Sequence, residues 1–179
     1  MSAFKLTVFF LIAISAFSLL LISDIPLLYG MLLGVLLMLL SYIDIQTFKI
    51  PDWLNGIILL VGILYNISID QLWLPFISFL IAFAFFYSVS IIYTKIKGRQ
   101  GLGGGDIKLF ACGAIWLIPY YLPLVLLISS TSALIYALLS SLYDRKKQDI
   151  TPYGPFLALG IWISFLFGES ILNFFVIQF

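Results

Sequence analysis

Histidine is absent from the 179 residues, and cysteine occurs once, at Cys112. The first absence removes the commonest general base, Ser-His and Cys-His catalysis, and histidine-ligated metals. The second removes an intrachain disulfide and any cysteine metal cluster. Cys112 stands in Phe110-Ala111-Cys112-Gly113-Ala114, among apolar neighbours, and reads as helix packing. Charge is scarce as well. Only 9% of the residues are charged and the net charge is +1, so no global attraction to nucleic acid is available. Carboxylate, lysine, tyrosine and serine chemistry is what remains.

Apolar residues fill the space the others leave. They make up 63% of the chain, and the mean hydropathy is +1.18. Those values indicate an integral membrane protein of one domain, residues 1–179. Apolar windows of bilayer length fall at 6–23, 25–44, 53–69, 72–94, 106–119, 120–142 and 154–178. None shows the alternation of a barrel strand, and each must satisfy its own backbone, so the expected fold is all-α, a bundle of about seven transmembrane helices. The first window begins after Lys5, as a signal peptide would, but lacks a small-residue cleavage site and reads as a retained helix. The window 106–119 is the shortest. Its ~14 residues rise only about 21 Å, so a re-entrant segment is the alternative to a short span.

Orientation follows from the basic residues. With seven spans, Lys5, Lys49, Lys95, Lys97, Arg99, Lys108, Arg145, Lys146 and Lys147 share one side, which the positive-inside rule makes cytoplasmic, along with the N-terminus. The opposite connections carry only Asp24 and Asp70 as charges. Trp53, Trp73, Trp116 and Tyr143 lie near window ends, where aromatic belts form. Asn66-Ile67-Ser68 matches a glycosylation acceptor but sits at a window end and reads as a chance triplet. The basic runs Lys95–Arg99 and Arg145–Lys147 read as topology determinants and anionic-lipid contacts. Glu169, beside Gly168 in the last window, is assigned no role.

Against this background Gly101-Leu102-Gly103-Gly104-Gly105-Asp106 is conspicuous. Glycines allow a tight loop and close backbone approach, so the loop presents the aspartate at the start of an apolar run. Asp44 ends the second window at the same predicted face. Acidic groups at such depth are expensive and are functional candidates. Two carboxylates brought together share one proton, and the charged member then activates water while the neutral one polarises a carbonyl. A proton- or cation-coupled carrier would use aspartates at these depths too. Asp44 as a wetted helix end and Asp106 as an N-cap are the plain structural readings.

Three segments narrow this. Asp44-Ile45-Gln46-Thr47-Phe48-Lys49-Ile50-Pro51-Asp52 resembles the first aspartate motif of the type IV prepilin peptidases. Gly103-Gly104-Gly105-Asp106 fits that family's Gly-x-Gly-Asp motif, and Thr151-Pro152-Tyr153-Gly154-Pro155-Phe156-Leu157-Ala158-Leu159-Gly160 is similar to its Pro-Phe-Gly-Pro-x-Leu-Ala-x-Gly segment. The resemblance covers roughly residues 20 to 165. It implies an intramembrane aspartic endopeptidase of the plasma membrane that removes the basic leader from prepilin or pseudopilin precursors at the cytoplasmic face, without a cofactor or metal.

The family's catalytic aspartates map onto Asp44 and Asp106. Gly103 and Gly105 then shape the loop beside Asp106, and Gly154 and Pro155 form a pocket wall. Lys108 is expected to hold the charge of Asp106 or contact substrate backbone, the alternative being a lysine that snorkels to the interface. Asp52 caps the third helix or touches substrate, while Asp144 and Asp149 are candidates for contact with a basic leader. Longer members carry paired cysteines tied to methylation of the new N-terminus. No Cys-x-x-Cys is present here, so cleavage without methylation is expected. The expected partners are the precursors and membrane lipids, with no nucleic acid. The rivals are a presenilin-like Gly-x-Gly-Asp protease, from which Tyr42-Ile43-Asp44 is offset by one residue, and the carrier.

Overall fold

The computed structural model describes residues 27–98, 103–143 and 152–176. The window 6–23 and the residues Lys5, Asp24, Arg99, Gly101, Asp144, Arg145, Lys146, Lys147, Asp149 and Thr151 lie outside the described residues, as does the side chain of Tyr143. The chain forms α1 (Leu27–Thr47), α2 (Asp52–Ser68), α3 (Trp73–Lys97), α4 (Gly104–Ala114), a 3-10 turn (Pro119–Tyr121), α5 (Leu122–Tyr143) and α6 (Gly154–Val176). The all-helical expectation holds among the described residues. Four helical stretches are long and apolar enough to cross a membrane: Leu28–Thr47, Trp73–Lys97, Pro119–Ser141 and Gly154–Phe174. The apolar α2 is shorter, at 17 residues.

The window 106–119 departs from a simple crossing. Its helix, α4, has 11 residues, a rise of about 16 Å. The chain leaves the helix at Ile115, yet Ile115, Trp116 and Leu117 are 1%, 4% and 2% exposed. Irregular backbone at membrane depth survives only where protein satisfies it. Here polar side chains from two other helices do so. The Asn66 amide of α2 donates from Nδ2 to the Ile115 carbonyl at 2.7 Å and to the Gly62 carbonyl at 2.7 Å. Ser78 of α3 donates to the Leu117 carbonyl at 2.7 Å. Trp116 returns a bond from Nε1 to the Ile58 carbonyl of α2 at 3.1 Å.

Two sequence expectations change with this geometry. Trp116 does not join an aromatic belt: it is buried, stacked on Tyr65 with ring centroids 5.4 Å apart and edge-on to Phe165 at 5.5 Å. Trp53 and Trp73 remain exposed, as belt residues are. Asn66 is buried and bonded, so its triplet is no glycosylation acceptor.

Packing centres on α4, which lies against α2, α3 and α6. From Leu109 to Ala114 every residue is buried, as befits a helix apolar all round. α6 packs also on α1 and α5, and α2 on α1. α3 buries only the stripe Pro75, Ser78, Ala82 and Phe86, and directs its remaining apolar faces outward. The ends where α1 stops and α2, α4 and α6 start come together. Lys49, Lys95, Lys97 and Lys108 belong to that end. Glu169 belongs to the other, where its neighbour Gly168 meets the ring of Tyr121.

Candidate functional site

Asp44 stands one turn before the end of α1, on the stripe Leu33, Leu37, Leu40, Ser41 and Asp44 that faces the core, and it is only 5% exposed. A carboxylate in that position is costly unless something receives it. The start of α6 does. The backbone N–H of Gly154, the first residue of α6, donates to Asp44 Oδ2 at 3.1 Å. A helix N-terminus is suited to this role, because its N–H groups are unpaired and its dipole favours negative charge. The approach leaves no room for a side chain on the helix. A Cβ at Gly154 would stand 2.6 Å from Asp44 Oδ2 and 3.2 Å from Ile50 Cδ1.

Asp106 lies at the third position of α4, with Gly103 as the N-cap. It is therefore not the cap, as the plain reading had it, but an acid in the first turn, where the helix dipole also favours it. Its half-buried carboxylate folds back beside Gly103, where a Cβ would meet Oδ2 at 3.0 Å. At Gly105 a Cβ would meet Ile50 Cβ at 2.9 Å, whereas at Gly104 nothing lies within 4 Å. The two outer glycines are constrained by neighbours and the middle one is free. That is the physical content of a Gly-x-Gly-Asp spacing here.

Ile50 joins the two halves. It follows Phe48, which ends α1 in the left-handed region with φ 53° while its N–H bonds the Asp44 carbonyl at 2.8 Å. The chain then turns back and sets Ile50 against both Gly105 and Gly154. One apolar side chain thus touches the start of α4 and the start of α6, the elements that carry Asp106 and receive Asp44. Sequence reasoning passed over Ile50 as part of a motif. Its signal was an apolar residue held between Lys49 and Pro51 at the break between two helices.

The two acids sense each other. Asp106, outside the membrane-crossing helices, has its pKa raised to about 6, first by burial and then by the negative charge of Asp44. The remaining candidates fall as follows. Lys108 pairs with Asp52, Nζ to Oδ1 at 2.7 Å, so the charge it holds is that of Asp52 and not of Asp106. Both side chains are well exposed, and such a pair contributes little to stability, but it pins the start of α2 to the start of α4. Asp52 is the first residue of α2 behind the N-cap Pro51, not itself the cap. Pro155 is the second residue of α6, half-buried, where the missing N–H of proline leaves no bond unmade. Tyr153 donates from its hydroxyl to Ser129 Oγ at 3.2 Å, tying the approach to α6 onto α5. Cys112 is buried in α4. Among the described residues no cluster of acidic residues and Cys112 has the makings of a metal site.

With this geometry in hand, comparison with known proteins is informative. The model of the type IV leader peptidase family matches residues 31–138, a span that contains Asp44, Ile50 and the glycine loop with Asp106. A prepilin leader peptidase/N-methyltransferase of Dichelobacter nodosus is 36% identical over 138 residues, covering 75% of this chain and 47% of that protein. The protein of the same description from Legionella pneumophila is 32% identical over 158 residues, covering 85% and 54%. That of Escherichia coli K12 is 31% identical over 131 residues, covering 70% and 56%. The chain spans about half the length of these relatives. No solved structure matches it. On the family match and on the relatives' identity across most of its residues, the chain belongs to the type IV leader peptidase family.

Proposed function

We propose that this protein is an intramembrane aspartic endopeptidase that removes the basic leader from prepilin or pseudopilin precursors, with Asp44 and Asp106 as its paired acids. The observation that carries this reading is the unlike support of the two carboxylates. Asp44 is buried and receives the Gly154 N–H at the N-terminus of α6, which stabilises a charge. Asp106 has no such donor at Oδ2 among the described residues, and the charge of its neighbour opposes its ionisation. Paired acids whose environments differ take different roles. Asp44, charged, takes a proton from water as the oxygen attacks the scissile carbonyl. Asp106, neutral, gives its proton to the carbonyl oxygen. Collapse of the tetrahedral intermediate expels the amine, which leaves with the proton held on Asp44, and Asp106 recovers its own. The pair titrates as a unit, and the chemistry draws on no cofactor or metal.

The lysines at the site's end of the bundle support a cytoplasmic active site, through the positive-inside rule. The outward apolar faces of α3 and α5 support contact with lipid and with the apolar helix of a precursor. Methylation of the new N-terminus is left out of the proposal, because the residues the family ties to it, paired cysteines, do not occur in the sequence.

The test is leader cleavage in membranes, with an epitope-tagged prepilin co-expressed beside wild type, Asp44→Asn and Asp106→Asn at equal abundance. Loss of the leader with wild type alone is expected, with an unmethylated new N-terminus by mass spectrometry. Cleavage that survives either substitution removes that aspartate from the mechanism. Failure to cut any of several precursors refutes the peptidase reading and leaves the carrier as the alternative to assay.

A further inference from the structure

α2 carries two buried asparagines on one stripe, Asn55 and Asn66, each 2% exposed. The Nδ2 of Asn66 is employed in holding the carbonyls of Gly62 and Ile115. The amide of Asn55 is not. Among the described residues neither its Oδ1 nor its Nδ2 has a hydrogen-bonding partner. A buried amide left in that condition opposes folding, and an apolar residue of the same size would serve packing better. A group retained against its own stability is a candidate for function.

Its position says which function. The stripe Asn55, Ile58, Gly62 and Asn66 faces α4, since Ile58 accepts from Trp116 and Asn66 donates to Ile115. One turn toward the start of α2, Asp52 pairs with Lys108, two residues beyond Asp106. α2 and α4 start at the same end and run parallel, and Gly62 and Asn66 both meet Ile115, so Asn55 lies on the α4-facing side at about the level of the first turn of α4, which carries Asp106. It also lies level with Asp44. The connection 48–51 folds α1 and α2 into a helical hairpin, with Asp44 three residues before the end of α1 and Asn55 three residues after the start of α2. Both belong to core-facing stripes, and packed helix axes stand only about 8–10 Å apart. The free amide is therefore carried, buried, by the helix that packs against both α1 and α4, the helices of the two acids.

We infer that Asn55 is a positioning residue whose amide holds the water that attacks the scissile peptide bond. The inference rests on the peptidase reading above. A water that donates one hydrogen to the Asp44 carboxylate and the other to Asn55 Oδ1 has an oxygen lone pair left to meet the carbonyl carbon. Attack then forms the C–O bond while Asp44 takes the first proton and Asp106 protonates the carbonyl oxygen. The C–N bond breaks as Asp44 gives its proton to the amine and a hydroxyl of the intermediate returns one to Asp106, so one water is consumed and no other reactant is needed. Asn55 keeps its protons throughout.

The experiment uses the full chain in nanodiscs, a tagged precursor, and the variants Asn55→Leu and Asn55→Ser. Unfolding is followed through the reactivity of Cys112, the sole cysteine, buried in α4. Leucine fills the site without polar atoms, and serine restores a small donor and acceptor. The expected result is an Asn55→Leu protein that unfolds at the wild-type temperature or above it. Its kcat falls by about 10²-fold, the scale of losing one positioned polar group, its KM stays within about twofold, and Asn55→Ser recovers part of the lost kcat. Wild-type kcat in Asn55→Leu overturns the inference and leaves the peptidase reading standing. A raised KM at constant kcat overturns it in favour of a contact with the bound precursor. Loss of kcat that tracks a lowered unfolding temperature in both variants overturns it in favour of packing. A wild-type protein that cuts no precursor removes the peptidase reading itself, and the inference with it.

Discussion

Replacing Gly154 by alanine is the most searching test of the site geometry. The new Cβ would stand 2.6 Å from Asp44 Oδ2 and 3.1 Å from Asp44 Cγ, where ordinary contact begins at 3.4 Å. The carboxylate must retreat by the shortfall, 3.4 less 2.6, about 0.8 Å. It is the free end of a side chain and swings more readily than two packed helices part. Retreat along the contact direction, which is oblique to the hydrogen bond, stretches the 3.1 Å bond from the Gly154 N–H to about 3.7 Å, beyond hydrogen-bonding range. A charge-assisted hydrogen bond contributes about 1.5–3 kcal/mol, and alanine returns up to about 1 kcal/mol of helix propensity. The net loss of stability is then about 0.5–3 kcal/mol, and the protein remains folded. Catalysis suffers more, because a displacement near 1 Å costs about 10²-fold when acid and water must align. The assay is the time course of leader removal in membranes containing equal amounts of wild type, Gly154→Ala and Gly104→Ala. Gly104 has nothing within 4 Å of its absent Cβ, so its alanine variant is expected at the wild-type rate. Full activity in Gly154→Ala, or equal loss in both variants, would refute the reasoning.

Two other perturbations bear on separate parts of the structure. The upward shift of Asp106 to about 6 means that its neutral, proton-donating form is lost as pH rises through that value, so kcat should fall by about tenfold per pH unit above it. The same shift gives a stability signature. An acid whose folded pKa is raised destabilises the fold when charged, so Asp106→Asn should raise the unfolding temperature. The gain should appear above the ordinary value of 3.8, level off above about 6 and vanish in acid; a gain that is constant with pH would rule out ionisation as its cause. At the other end of α4, Asn66→Leu and Ser78→Ala each leave a buried carbonyl unpaired, at a cost of about 1–3 kcal/mol. Earlier exposure of Cys112 to a thiol-reactive dye on heating would register both losses, and unchanged profiles would mean that those bonds do not hold the break in α4.

The sequence made some of this legible and hid the rest for identifiable reasons. Helices and their crossings show in hydropathy because a bilayer gives an apolar run few other choices. Asp44 and Asp106 stand out because acids at that depth are expensive, and the glycine spacing marks the second of them. Hydropathy cannot see where α4 stops, since Ile115, Trp116 and Leu117 are as apolar as the helix before them. What lets the chain break there is Asn66 and Ser78, 49 and 39 positions away from the carbonyls they hold. Trp116 was assigned to a belt for the same reason: the window's end was taken for a membrane surface, whereas the residue turns inward to Ile58. The partner of Lys108 was hidden by a separation of 56 positions, and Asp106, two residues away, was the tempting substitute.

The two ends of α4 are thus complementary parts of one device. An 11-residue helix that ended freely would expose its last carbonyls within the bundle, and a full-length span in its place would carry no requirement to stop. The tethers from Asn66 and Ser78 let the helix be short, while the Asp52–Lys108 pair and the Ile50 contact with Gly105 fix its start. Fixing both ends fixes Asp106 in the first turn. The same Ile50 side chain reaches Gly154, whose N–H holds Asp44. The separation of the two acids is therefore set by a chain of contacts through one isoleucine, not by either helix alone. An Ile50→Ala change, which alters neither carboxyl group, should loosen that separation, lower kcat and weaken the push of Asp44's charge on Asp106, so that the raised pKa of Asp106 moves down. A pH–rate profile of reduced height whose alkaline limb shifts to lower pH is expected, and a profile of unchanged height would refute the role of Ile50.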